Sequence, residues 1–103
     1  MRPSANDLVW APLARKDLHS LWRYFSTTAS AEIANKQFLE IFRVADLLRE
    51  RPNLGRPRHD VKEGYRSIRS KPYVIYYRTA DASVEILRVL HERRDIRKAL
   101  REK

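Results

Sequence analysis

Residues 65–91 read YRSIRSKPYVIYYRTADASVEILRVLH. Within this stretch, β-branched and aromatic residues cluster over 65–70, 73–79 and 83–91, which is typical of strands. Two short connections separate the three runs, Lys71-Pro72 and Ala80-Asp81-Ala82. Because connections of this length cannot make a parallel crossover, we predict a three-stranded antiparallel meander. Its middle strand is apolar almost throughout, which predicts that other parts of the chain partly bury it on both faces of the sheet.

Upstream of these strands, the apolar residues follow a helical period. They recur from Ala14 to Phe25 and again from Ile33 to Leu48. The polar run from Ser26 to Ser30 is predicted to break the helix between them. Ser30 is a candidate N-cap for the second helix, and Glu32 lies favourably in its first turn. The short linkage predicts an antiparallel helical hairpin.

The ends of these elements complete the predicted fold. Turn chemistry begins at Pro52, so the second helix is predicted to end near Arg51, with a loop to about Gly64. Asp7–Pro12 is predicted to form a short strand, which Pro12 ends or places at an edge. The prediction is a single α+β domain over 1–103: an N-terminal strand, an antiparallel two-helix hairpin, and a three-stranded antiparallel meander forming one small sheet packed on the helices. The charged residues 93–103 are predicted to form a short docked helix or a mobile tail.

The charge of the chain is uneven. The 103 residues carry 22 Lys and Arg against 13 Asp and Glu, a formal net charge of +9. Residues 49–103 hold sixteen of the basic and eight of the acidic side chains, and therefore +8 of the excess. Sixteen of the basic residues are Arg, whose planar fork suits carboxylate and phosphate groups. An anionic partner is therefore expected, either an acidic protein or a nucleic acid.

Several classes of protein are disfavoured by composition. The chain has no cysteine, which removes disulfides and thiolate zinc sites. No apolar run approaches the ~18 residues that a membrane span needs, and no signal-type segment follows Met1. The three histidines, His19, His59 and His91, are far apart, so no metal site is predicted. A cytoplasmic protein without cofactor or metal is expected.

His91 ends the last predicted strand and lies among arginines of the same strands. Alternation places Arg66 and Ser70 on one face and Arg69 on the other, so these side chains do not all converge. One interpretation is an RNA-phosphate site in which His91 gives a proton to a leaving oxygen.

The alternative interpretation of the same residues is structural. In it, Arg88 and Arg94 pair with Asp95 or Glu85, and His91 bonds to backbone at a strand end. Clustered charges often have this purely structural role.

The aromatic residues also have two interpretations. The tyrosines among the arginines either stack on bases or fill the core, and core packing is favoured because a small sheet needs aromatic filling against its helices. These residues are Tyr65, Tyr73, Tyr76 and Tyr77. On the helices, one apolar stripe is core first, and secondarily a groove for a partner helix. Its residues are Leu21, Trp22, Phe25, Phe38 and Phe42.

Five stretches, in this order and spacing, resemble the RelE/ParE family of bacterial toxins from type II toxin-antitoxin modules. They are Trp10–Leu18 (WAPLARKDL), Pro52–Arg56 (PNLGR), Gly64–Ser67 (GYRS), Tyr73–Arg78 (YVIYYR) and Arg88–Asp95 (RVLHERRD). The last stretch is characteristic of the ParE branch. The resemblance covers nearly the whole chain and implies the same order of strand, helical hairpin and meander.

The resemblance implies a toxin that is neutralised by an acidic, ParD-like antitoxin, which itself binds operator DNA. The ParE branch acts on DNA gyrase, so that replication stalls and DNA breaks persist. The RelE branch cleaves mRNA on the ribosome, using basic residues of the sheet and an acid or base near the C-terminus.

This sequence departs from the nuclease pattern. Val74 or Ile75 takes the inward-reaching position of the meander's middle strand, and no tyrosine follows His91. Residues 64–70 offer Arg66 and Arg69 but no carboxylate, and an arginine, with its pKa above ~12, is a poor base. We therefore predict a non-enzymatic, gyrase-directed toxin with no catalytic residues. A ribosome-dependent mRNA interferase is the alternative.

The resemblance and the residues together give three sets of candidate site residues. The expected target-binding residues are Arg66, Arg69, Arg88, His91, Arg93 and Arg94. The expected antitoxin-binding residues are Leu21, Trp22, Phe25 and Arg78. If the chain is a nuclease, the expected catalytic residues are His91, Arg66, Arg69 and Arg94. Contact with operator DNA is expected only through the antitoxin.

Overall fold

The predicted hairpins form the centre of one sheet in a computed structural model of the chain, which describes residues 6–101. The elements, in chain order, are β1 (Asp7–Trp10), α1 (Pro12–Thr28), α2 (Ala31–Glu50), β2 (Arg56–Pro57), β3 (Arg66–Ser70), β4 (Tyr73–Ala80), β5 (Ser83–His91) and α3 (Ile96–Ala99). The α+β fold is confirmed, and the meander over β3, β4 and β5 follows the predicted bounds to within one residue.

The sheet has five strands in the order β1-β5-β4-β3-β2. The neighbours β2, β3, β4 and β5 are antiparallel, whereas β1 lies parallel to β5 with Trp10 opposite Ile86. The predicted loop from Arg51 to Gly64 was wrong in one respect, because Arg56 pairs with Ser67 and forms the outer strand β2. Pro57 is tolerated there because an outer strand needs no second row of hydrogen bonds.

The helical hairpin is longer than predicted. Pro12 occupies the start of α1, where a proline costs no hydrogen bond. The helix continues to Thr28 because the hydroxyls of Ser26, Thr27 and Thr28 donate to carbonyls of the preceding turn. The break predicted within Ser26–Ser30 therefore falls at the end of that run, at Ala29 and Ser30. The predicted cap is confirmed, since the Ser30 hydroxyl accepts from the Ile33 backbone N–H at 3.1 Å.

One face of the sheet, the helix face, packs under α1 and α2. Tyr73, Ile75 and Tyr77 of β4 contribute alternate side chains to this core. They meet helix residues such as Leu18, Leu21, Ile41 and Leu48. On the opposite face, α3 covers Tyr76 and Leu90 with Ile96 and Ala99. The short docked helix predicted within 93–103 is confirmed, and residues 102–103 lie outside the described range.

A β-bulge lies in β5. Tyr77 pairs with Ile86 and Tyr76 with Arg88, so Leu87 has no partner in the ladder. Such a bulge shifts the alternation by one residue. Ile86 and Val89 therefore both face the helices.

The turn after α2 is closed by a contact between Gly55 and Tyr77. The Tyr77 hydroxyl donates to the Pro52 carbonyl at 2.7 Å and accepts from the Gly55 N–H at 2.8 Å. Burial raises the pKa of Tyr77, so the hydroxyl keeps its proton. A Cβ on Gly55 would lie 2.7 Å from the Tyr77 ring and from the Ser67 carbonyl oxygen.

Gly55→Ala is expected to lower the free energy of unfolding by about 1–3 kcal/mol, because the new methyl group displaces Tyr77 or the β3 backbone. The measurement is the urea midpoint by circular dichroism. Gly64→Asn is the control, because Gly64 has a φ of 86° with open space around it and asparagine tolerates that conformation. Equal midpoints for the two variants would contradict the role assigned to Gly55.

Candidate functional site

An open cleft of about 700 Å³ lies on the sheet face opposite α1 and α2. Four arginines from three separate segments line it, Arg56, Arg58, Arg69 and Arg94. We call it the arginine cleft. Its other lining residues are Leu54, Gly55, Ser67, Ile68, Val74, Tyr76, Glu92, Asp95 and Ile96.

Carboxylates fix two of these arginines in place. Arg58 donates to Asp60 through Nε at 3.0 Å and Nη2 at 3.1 Å, and its guanidinium lies 5.5 Å from the centre of the Tyr76 ring. Arg69 forms an ion pair with Glu92. The guanidinium of Arg58 lowers the pKa of Asp60, and that of Arg69 lowers the pKa of Glu92, so both carboxylates are ionised at neutral pH. The guanidinium groups are therefore oriented before any ligand binds.

Sequence reasoning missed half of this cleft. Arg56 and Arg58 were placed in a loop, and pairing of β2 with β3 brings them beside Arg69. Residues 64–70 contain no carboxylate, but Glu92 reaches Arg69 from beyond the end of β5. The only advance signal was the excess of arginine after residue 49.

His91 lies on the helix face, away from the arginine cleft. Across strands β3, β4 and β5, the paired residues form rows. One row is Ser70, Tyr73 and His91, and the next row is Arg69, Val74 and Leu90. Adjacent rows point to opposite faces, so His91 and Arg69 are separated by the sheet. The expected grouping of His91 with Arg69 and Arg94 is therefore wrong.

The surroundings of His91 are aromatic. Its ring packs edge-on to Tyr73 with centroids 5.7 Å apart, and Nδ1 accepts from the Arg93 backbone N–H at 3.1 Å. The structural interpretation, a bond to backbone at a strand end, is confirmed. Its side chain lines a separate cleft of about 430 Å³ with Tyr24, Phe25, Pro72 and Tyr73. Arg93 itself is exposed.

Arg66 points to the helix face, as its alternation with Arg69 predicted. Its Nη1 donates to the Gly55 carbonyl at 2.6 Å and more weakly to that of Asn53 at 3.4 Å. It braces the turn after α2 and does not line the arginine cleft.

Arg88 is buried, with only 5% of the residue exposed, so its expected place on a target-binding surface is wrong. Its Nε and Nη2 donate to Asp17 of α1 at 2.8 and 2.9 Å. Neither of the expected partners takes this role, because Glu85 pairs with Arg78 at 2.7 Å and Asp95 caps α3.

The expected antitoxin-binding residues do not form one surface. Leu21 is 5% exposed and belongs to the core, so it is unavailable to a partner. Trp22 and Phe25 are half-buried, with the Trp22 Nε1 donating to Asn35 Oδ1 at 3.3 Å. Arg78 is exposed and lies at the far end of β4 from Phe25, which packs on Tyr73.

Another apolar surface lies on α2 and contains Phe38 and Phe42, two residues of the stripe that the sequence offered secondarily as a groove for a partner helix. Leu39 is 69% exposed and Phe42 39% exposed. The Phe42 ring contacts those of Trp10 and Phe38, with centroids 5.3 and 5.5 Å apart. We call Trp10, Phe38, Leu39 and Phe42 the α2 patch.

Over residues 6–101, the structure contains neither a candidate metal-binding group nor a candidate membrane-spanning helix. In that range no three His, Asp or Glu side chains come together as a group able to hold a metal ion. None of the helices described there has the length and hydropathy needed to cross a membrane.

Known proteins resemble this chain over most of its length. Residues 8–96 match the family described as ParE toxin of type II toxin-antitoxin system, parDE. Toxin ParE1 of Caulobacter vibrioides is 33% identical over 79 residues, 77% of this chain and 81% of the relative. Toxin ParE1 of Mycobacterium tuberculosis is 25% identical over 87 residues, 84% of this chain and 89% of the relative.

Two solved structures share the fold. A chain of the chromosomal ParDE system from P. aeruginosa superposes with a TM-score of 0.73 at 22% identity, covering 84% of this chain and 96% of that one. A chain of the toxin-antitoxin complex RelBE2 from Mycobacterium tuberculosis gives a TM-score of 0.62 at 29% identity, covering 87% and 94%. With its match over residues 8–96 and its 33% identity to a ParE1 toxin, the chain belongs to the ParE toxin family of type II toxin-antitoxin systems.

Proposed function

We propose that this toxin arrests growth by binding DNA gyrase in the cytoplasm, without enzymatic chemistry of its own, and that a ParD-like antitoxin neutralises it. Family membership supports the class of toxin. The observation that carries the choice of target is the separation of His91 from the arginine cleft by the sheet. A nuclease needs an acid and a base on the same phosphodiester, and this arrangement supplies no such pair.

Glu92 does not replace the missing base. It lies in the arginine cleft, but Arg69 lowers its pKa, and a general base works best with a pKa near the operating pH. The exposed arginines of the cleft, together with Arg93, are the groups we propose for contact with the target.

Purified toxin at micromolar concentration is expected to inhibit supercoiling by gyrase or to trap cut DNA, because a protein that binds and poisons the enzyme acts stoichiometrically. Supercoiling and cleavage assays on plasmid DNA measure both effects. Relaxation by a type I topoisomerase, run in parallel, controls for non-specific inhibition by a basic protein. Undisturbed gyrase at micromolar toxin would refute the proposal.

An mRNA interferase is the second candidate, and one arrangement favours it. Glu92, Arg69 and Arg94 line one cleft, and the chain also resembles a member of the RelBE2 complex. This function requires codon-phased cuts in mRNA after induction. Loss of those cuts in Glu92→Gln, with His91→Ala still active, would place the chemistry in the arginine cleft.

The antitoxin is proposed to be an acidic chain with an amphipathic helix. The α2 patch supplies apolar contacts, and Lys36 and Arg43, both exposed, flank Leu39 on the same helix. Apolar anchors supply most of the affinity of such a complex, whereas charge speeds association. Contact with operator DNA is proposed to run through the antitoxin.

A further inference from the structure

We propose that the arginine cleft holds backbone phosphates of duplex DNA without cleaving them, so that the toxin contacts the DNA as well as the protein of its target complex. The identity of that complex rests on the proposed function. The DNA contact itself is measurable in the absence of gyrase.

The charges of the cleft fit a phosphate ligand. Four arginines and two carboxylates, Glu92 and Asp95, line it. Lys71 adds to the positive field at Glu92. A guanidinium binds phosphate oxygens through two parallel N–H bonds, as it binds a carboxylate. The exposed guanidinium groups of the cleft can therefore bind the oxygens of a phosphodiester in the same way.

Arg58 and Arg69 differ in how freely their guanidinium groups can move before a phosphate binds. Arg58 is held over Tyr76 by both oxygens of Asp60, so its position costs little further entropy on binding. The side chain of Arg69 is 63% exposed while it pairs with Glu92. A phosphate can take the place of the Glu92 carboxylate on Arg69, which makes Glu92 an internal competitor of the ligand.

The floor of the cleft favours a duplex over a single strand. Proteins that bind single strands offer exposed aromatic faces on which bases stack. Tyr76 is the aromatic lining residue; it is buried, and Arg58 lies over its ring. The remaining apolar lining residues, including Val74, Ile68 and Ile96, are aliphatic. A duplex presents its phosphates and keeps its bases stacked inside, which suits this surface.

The test is fluorescence anisotropy of the full-length toxin with a labelled, mixed-sequence duplex of about 20 base pairs, across a series of salt concentrations. The double variant Arg56→Gln/Arg69→Gln is expected to bind at least about tenfold more weakly and to lower the salt slope by about two. Glu92→Gln is expected to bind more tightly, because it removes the competing carboxylate. The single variants Arg56→Gln and Arg69→Gln are each expected to bind more weakly than the parent. Arg23→Gln, at an exposed arginine on α1, is the control for these single variants, because it removes the same charge and should bind like the parent.

Three results would overturn the DNA contact: no duplex binding at low salt, equal weakening by Arg23→Gln and by either single cleft variant, or tighter binding of a single-stranded RNA of the same length. Circular dichroism verifies that the variants fold. The tighter DNA binding expected for Glu92→Gln is a gain of affinity, which a misfolded variant would not produce.

Gyrase assays separate the two proposals. If the double variant binds no DNA yet inhibits gyrase like the parent, the DNA contact plays no part in the target complex. If the parent binds DNA but does not inhibit gyrase, the proposed function fails and the cleft remains a DNA-binding site.

Discussion

Arg88→Ala is expected to lower the free energy of unfolding by about 3–5 kcal/mol, since it leaves Asp17 as a buried charge without its partner. The side chains of Arg88 and Asp17 are only 6% and 8% exposed. Asp17 also accepts from the Val89 N–H at 3.0 Å, and the Nη1 of Arg88 donates to the Ala99 carbonyl at 2.8 Å. One ion pair therefore joins α1, β5 and the end of α3.

The position of this pair explains its importance. β1 ends at Trp10, opposite Ile86, so beyond that point β5 is paired with β4 on one side and has no strand on the other. The Asp17 carboxylate takes the place of that strand at Val89, and Arg88 neutralises it. A buried N–H that loses its acceptor costs further stability, so Asp17→Ala is expected to be at least as damaging.

Urea unfolding followed by circular dichroism measures the change. Arg78→Ala is the matched control, because Arg78 also pairs with a carboxylate, Glu85, but at the surface, where a pair contributes less than about 1 kcal/mol. A double-mutant cycle of Asp17→Ala and Arg88→Ala isolates the coupling between them. If Arg88→Ala costs no more than Arg78→Ala, the ion pair does not join the elements as described.

The burial of Arg88 also shows why the candidate site was harder to predict than the fold. Two-residue periodicity and short connections predicted β3, β4 and β5, because these signals are local. The partner of Arg88 is Asp17, 71 positions earlier, and no local pattern links them. The sequence placed Arg88 on a target-binding surface or in a pair with Asp95 or Glu85, whereas its partner is the buried Asp17 of α1.

The bulge at Leu87 determines the face of the sheet on which His91 lies. Counting alternation forward from Ile86, which faces the helices, puts His91 on the opposite face, beside Arg69. The unpaired Leu87 shifts that count by one, so Val89 enters the core and His91 joins Tyr73 on the helix face. A bulge depends on tertiary packing and has no reliable sequence signal here. Strand β2 was missed for a similar reason, because a two-residue strand has no periodicity.

Leu39→Asp is expected to weaken the complex with the cognate antitoxin at least about 100-fold, with the fold retained. Leu39 is 69% exposed, so a polar substitution removes little packing within the toxin. It does remove an apolar anchor from the α2 patch and sets a negative charge against a partner proposed to be acidic. Isothermal titration of toxin with antitoxin measures the affinity, and the urea midpoint verifies the fold.

Ile33→Asp provides the comparison, because it makes the same chemical change at another exposed apolar residue of α2, 44% exposed. At about 100° per residue, Ile33 lies on the opposite side of the helix from Phe42. An antitoxin helix seated on the α2 patch leaves Ile33 uncovered, so this variant should bind like the parent. Equal losses for both variants would mean that charge alone controls the complex, and parental affinity in Leu39→Asp would place the antitoxin elsewhere, with Trp22 and Phe25 as the next residues to substitute.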